Sequence, residues 1–142
     1  MNEIASLLPH KGTALMIERV LRWDETEVLV ATSLHRSPVN PLRRDGRLAA
    51  VHLVEFGAQA MAIHGGLKDR VAGRAMQPAL LVAVRDLAMT RDYIDDLPGG
   101  LEIAASMLIA NAGSWQYSFA ATHERQIIAT GRVAAMARGW AQ

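Results

Sequence analysis

Apolar and polar residues change their spacing along this chain, and the changes mark its elements. The run 15–23 is apolar and partly alternating, and 26–34 sets Val28, Val30 and Thr32 against Leu29 and Ala31. A period of two is that of a strand. Asp24, Glu25 and Thr26 between the runs read as a turn, so the two strands are expected to form a hairpin. The stretch 48–67, LAAVHLVEFGAQAMAIHGGL, has no such alternation. Ala, Leu, Val and Met dominate it, with no Pro and no β-branched run, which favours helix. Asp45 is its expected N-cap, and Gly65 and Gly66 its expected stop. Apolar residues fall on every side of the wheel, which predicts an enclosed helix rather than one laid on a surface.

Four further runs read as strands: 79–89, 101–109, 115–121 and 126–137. The second alternates Leu101, Ile103, Ala105, Met107 and Ile109, and the third alternates Trp115, Tyr117 and Phe119. The aromatic stripe is expected in a core or interface. Residues 111–114 and 123–125 read as hairpin turns. Residues 37–46, with Pro38, Asn40, Pro41 and Gly46, and the basic, Gly-containing 68–78 read as loops. Residues 2–8 predict one or two helical turns capped by Asn2 and ended before Pro9. Two strands, one long buried helix and four strands predict an α+β fold, one antiparallel sheet wrapped around one central helix. Such a sheet has free edges and does not close over the helix alone, so at least a dimer is expected.

Composition narrows the function. With 142 residues, half of them apolar and one fifth charged, the chain predicts a single domain with a real core. A net charge of +1 does not suggest a dedicated nucleic-acid binder. There is no cysteine, so thiolate chemistry and disulfides are excluded, and a cytoplasmic location is expected. The apolar run 48–63 is too short to span a membrane and carries Glu55. No phosphate-cradling glycine motif, dinucleotide fingerprint or metal-ligand spacing is present, so neither a cofactor nor a metal is expected.

Candidate chemistry concentrates on the helix. His52, Glu55 and Gln59 fall in one sector at about 100° per residue, and His64 falls on the opposite side. A carboxylate on a buried helix needs partners, and burial favours its protonated form. Glu55 is therefore a candidate proton donor, and Gln59 a candidate to orient it or to meet substrate. His52 is the nearest candidate base, with His35 as another. His64 could instead face a different cavity or favour the helix dipole, and His10 and His123 read as turn or surface residues. Arg43, Arg44 and Arg47 before the helix, and Lys68, Arg70 and Arg74 after it, read as solvated charges or as a seat for an acidic partner.

The stretches LLPHKGTALMIERVL and EFGAQAMAIHG, with Asn40-Pro41, Glu55 and Ala58-Gln59 in this order, resemble the hot-dog-fold 3-hydroxyacyl-acyl-carrier-protein dehydratases. The similarity is greatest to the small branch associated with aryl polyene and other fatty-acid-like clusters. The resemblance implies a hot-dog fold, a 3-hydroxyacyl thioester on an acyl carrier protein or CoA as substrate, and a role for Glu55 as the acidic helix residue. It also implies a homo- or hetero-oligomer, with substrate contacts at Asn40 and Gln59. Bacterial members usually carry a catalytic His in a Gly-His-Phe-Pro-Gly loop before the helix. Here Asn40, Pro41 and Leu42 stand at that place. The residues leave two other readings open: a thioesterase, in which Glu55 would activate water, or a non-catalytic acyl-binding or partner subunit.

Overall fold

The computed structural model describes residues 15–75 and 79–137. The expected helix over 2–8 lies outside these. The first strand, β1 (Arg19–Trp23), turns at Asp24 into β2 (Glu27–Thr32). The Asp24 carboxylate makes that turn by accepting N–H bonds from Thr26 at 2.9 Å and Glu27 at 3.0 Å. A 3₁₀ turn, Leu34–Arg36, leads into the loop, and a second, Ala50–His52, runs into the single long helix α1 (Leu53–Ala72). Then follow β3 (Ala79–Met89), β4 (Leu101–Asn111), β5 (Ser114–His123) and β6 (Gln126–Ala137).

The six strands form one antiparallel sheet in the order β1-β2-β4-β5-β6-β3. Its inner face packs on α1, chiefly through β4 and β2. Val28 and Val30 of β2, Ile103 and Ala105 of β4, Tyr117 and Phe119 of β5, and Val133 and Ala135 of β6 are buried there with Leu53, Phe56, Ala60 and Ile63. The strand alternation read from sequence is thus the alternation of the core-facing and outer sides. The β5–β6 turn places Glu124 and Arg125 at φ 49° and 69°, the left-handed pair that a tight two-residue hairpin requires.

Helix α1 is displaced along the sequence from its expected place. It begins at Leu53 rather than residue 48, and Asp45 does not cap it. Residues 48 and 49 stay outside the helix, and Ala50 only opens the 3₁₀ turn, because this stretch pairs with the β3–β4 loop. Ile94 N–H donates to Leu48 O at 2.9 Å, and Ala50 N–H donates to Asp92 O at 2.7 Å. Nor do Gly65 and Gly66 stop the helix. Leu67, Lys68, Asp69 and Arg70 carry it a further turn and more, and Gly73 ends it at φ 72°. Much of the expected loop 68–78 is therefore helix.

One edge of the sheet is β3. Its register sets Leu81 opposite Ala135 and Val84 opposite Val133, so both lie on the core-facing side. They are nevertheless 42% and 40% exposed. The charges of this edge strand, Arg85 and Asp86, lie toward its far end, so Leu80 to Val84 offer an uncharged stretch of edge.

Candidate active site

Glu55 lies in the first turn of α1 and is half-buried. Gln59, one turn on, is 5% exposed. Its Nε2 donates to Glu55 Oε2 at 3.0 Å, and its Oε1 accepts the Met16 N–H at 2.8 Å. The bond from the chain before β1 thus turns the amide so that its Nε2 side meets the carboxylate. This is the helix-face pairing expected from the i, i+4 spacing.

His52 closes the 3₁₀ turn before α1. It is half-buried, and no hydrogen bond or ion pair joins it to Glu55 or to another described side chain. Three amides around it are occupied. Leu48 donates to Asp95 Oδ1 at 2.9 Å, Ala50 to Asp92 O, and His52 to Ala49 O at 3.1 Å. The N–H groups of Ala49 and Val51 have no acceptor among the described residues. Val51 thus presents a donor that no described residue engages, one turn before Glu55, where the helix dipole is positive.

Asn40 is 6% exposed and is spent on its own loop. Its Oδ1 accepts the Leu42 N–H at 2.9 Å, and its Nδ2 donates to Leu34 O at 3.0 Å and approaches Met16 Sδ at 3.4 Å. The arginines before the helix also have internal work. Arg43 donates to the carbonyls of Ser37, Gly46 and Arg36, at 2.7, 2.7 and 3.0 Å. Arg47 pairs with Asp95 at 3.1 Å and lies 4.1 Å over the Tyr93 ring. After the turn-and-helix unit, Arg74 pairs with Asp69 at 3.2 Å.

The remaining histidines of the described chain are structural ties. His64 is fully buried on the side of α1 away from Glu55. Its Nε2 lies 2.8 Å from the Asp24 carbonyl, which can only accept, so Nε2 carries the proton. Nδ1 therefore accepts from Tyr117 OH, 2.5 Å away. Trp23 and Tyr117 set ring edges against it, with centroids at 6.3 and 5.5 Å. Burial holds the His64 pKa below its usual value, against the Asp24 carbonyl bond, which favours the charged form. Burial likewise pushes the Tyr117 hydroxyl upward. His123, expected near the surface, is 9% exposed and bonds Pro98 O at 2.8 Å. No local pattern in the sequence signals these ties, because each joins residues far apart in the chain.

No group of His, Asp and Glu among the described residues is arranged to hold a metal ion. No helix among them is long and apolar enough to cross a membrane.

Among solved structures, the dehydratase heterocomplex ApeI:P from Xenorhabdus doucetiae is similar over 97% of this chain and 92% of that one, with TM-score 0.87 and 18% identity. The E. coli PaaI protein from the phenylacetic acid degradation operon aligns over 82% of this chain and 80% of its own, with TM-score 0.61 and 13% identity. A variant of a thioesterase from Staphylococcus aureus aligns over 83% and 90%, with TM-score 0.58 and 10% identity. At these identities the likeness shows the shared hot-dog fold and no more. No curated protein matches the sequence. The model of the ApeP-like family, described as ApeP dehydratase, matches residues 2–139, and the chain belongs to that family.

Proposed function

We propose that this chain takes part in dehydrating 3-hydroxyacyl thioesters on an acyl carrier protein, giving 2-enoyl thioesters of the kind that fatty-acid-like or aryl polyene synthesis extends. The observation that carries the reading is the Glu55–Gln59–Met16 chain of bonds, one turn below the Val51 amide, which no described residue engages. Elimination needs a donor for the departing hydroxyl, a base for the proton on the carbon beside the carbonyl, and a donor for the developing enolate oxygen. Protonated Glu55 gives its proton to the hydroxyl, which leaves as water. The Val51 N–H faces the carbonyl oxygen. Gln59 keeps Glu55 in place and does not itself transfer a proton. His52 is the base in this reading. It needs no bond to Glu55, because acid and base act on neighbouring substrate carbons.

A mixed pair is the setting we favour. Asn40, Pro41 and Leu42 offer no base in the loop, the inner face of β3 is uncovered, and the similar solved structure is a heterocomplex. A second hot-dog subunit paired along β3 would cover Leu81 and Val84 and bring a second site beside this one. The thioesterase reading keeps one support, the likeness of fold to a thioesterase.

The test gives a 3-hydroxyacyl-carrier thioester to the chain alone and to the chain with its co-purifying subunit, and follows the product by mass. Loss of one water, abolished by Glu55→Gln, supports the proposal. Water loss by the mixed pair alone, unchanged by His52→Gln, would move the base to the partner. Release of free acid and thiol would replace dehydration with thioester hydrolysis. Unaltered turnover in Glu55→Gln would make this chain a non-catalytic partner.

A further inference from the structure

The β3–β4 loop is fastened at two ends. Toward the helix, Ile94 N–H bonds Leu48 O, Ala50 N–H bonds Asp92 O, and Asp95 accepts from Leu48 N–H and Arg47. At its other end, two histidines hold adjacent carbonyls. His35, from the 3₁₀ turn after β2, lies 2.9 Å from Leu97 O through Nε2, and His123, at the end of β5, lies 2.8 Å from Pro98 O through Nε2. Carbonyls only accept, so both rings carry the proton on Nε2.

His35 has no exposed surface, and its Nδ1 has no hydrogen-bond partner among the described residues. As a bare lone pair this atom is tolerable in an apolar setting. Once protonated, it would be a buried donor without an acceptor on a buried cation. The charges that weigh most on the ring oppose that cation: Arg36 of its own turn, Arg43 of the following loop and His123 of β5. Of the loop's three carboxylates, Asp95 pairs with Arg47 and Asp96 with Arg91, and none of the three, Asp92 included, hydrogen-bonds the His35 ring.

We propose that His35, with its orphaned ring nitrogen, is an acid-sensitive latch: taking up one proton frees Leu97 and loosens the loop that holds the entry to α1. The inference concerns the fold and does not depend on the proposed reaction. Burial, which most lowers the His35 pKa, agrees with it, although the Leu97 bond pulls the other way. The closed loop therefore binds the proton less readily than the open one. Its stability is complete above the open-state value, about 6.5 for histidine, and falls as pH drops below it.

Amide hydrogen exchange on the full chain tests this. After correction for intrinsic exchange, opening at Ile94 and Leu97 should rise about tenfold for each pH unit below about 6.5. Phe119 and Ala121 in β5 should keep their protection over the same range. His35→Gln retains a neutral N–H donor and should remove the pH dependence. In the unmodified chain, the His35 ring resonances should titrate only together with loop opening. A pH-independent loop, a dependence that survives His35→Gln, a His35 that titrates while the loop stays closed, or all amides opening at once would each overturn the latch.

Discussion

Gln59 donates to Glu55 across 3.0 Å while its own carbonyl is held by the Met16 amide, 43 residues earlier in the chain. The carboxylate is therefore aimed by two elements, although it stands on one. Replacing Gln59 by Leu keeps the bulk and removes both bonds, leaving the buried Met16 N–H unpaired. That should cost about 1–3 kcal/mol of stability, read as a lower urea midpoint. If Glu55 is the proton donor, turnover should fall about tenfold or more at saturating substrate, with KM little changed. Gln59→Glu should be worse than Leu in turnover, because it sets a second carboxyl where an N–H donor stood.

Phe119 fixes how close α1 comes to the sheet. A Cβ on Gly57 would lie 2.6 Å from Phe119 Cγ, and a Cβ on Gly131 would lie 2.8 Å from Phe119 Cε1. Two glycines, one on the helix and one opposite Phe119 on β6, thus make room for the same ring. Gly131→Val should destabilise by about 1–3 kcal/mol through overpacking, measured as a drop in thermal midpoint. Phe119→Leu in the Gly131→Val background should recover part of the loss. Failure of that rescue would mean the clash is not with this ring.

The course of the strands was legible because local alternation decides it. Val28, Val30, Ile103, Tyr117 and Phe119 lie inside, as their spacing predicts. The ends of α1 were not. Leu48 and Ala50 look helical by composition, yet their partners are Ile94 and Asp92, which no local pattern announces. Gly65 and Gly66 look like a stop, but Gly66 is buried and the helix formers Leu67, Lys68 and Arg70 carry the helix on to Gly73, against a helix cost of about 1 kcal/mol per glycine. In the site, the Glu55–Gln59 pair follows from helix spacing. The Met16 tie does not, and neither does the use of Asn40 as a loop fastener.

His64 predicts how the fold responds to acid. It is neutral, fully buried, and joins the β1–β2 turn to β5 through Asp24 O and Tyr117 OH. Burial is the main reason its pKa is depressed; Lys68 adds to this, while the Asp24 carbonyl and the Asp24 and Glu25 charges oppose it. A depressed folded-state value means the unfolded chain binds the proton more readily. The stabilisation is therefore present above the unfolded value, about 6.5, and is lost as pH falls below it. Urea midpoints should decline from pH 7 toward pH 5. Tyr117→Phe removes the donor to Nδ1 and should cost about 1–3 kcal/mol at pH 7. His64→Gln can still donate to Asp24 O but does not titrate, so it should be less stable than the native chain at pH 7 and flatter against pH. The slope that remains in this variant reports the other titrating groups, His35 among them. Combining it with His35→Gln should flatten the profile further, and a double variant as pH-sensitive as the native chain would refute the assignment to these two rings.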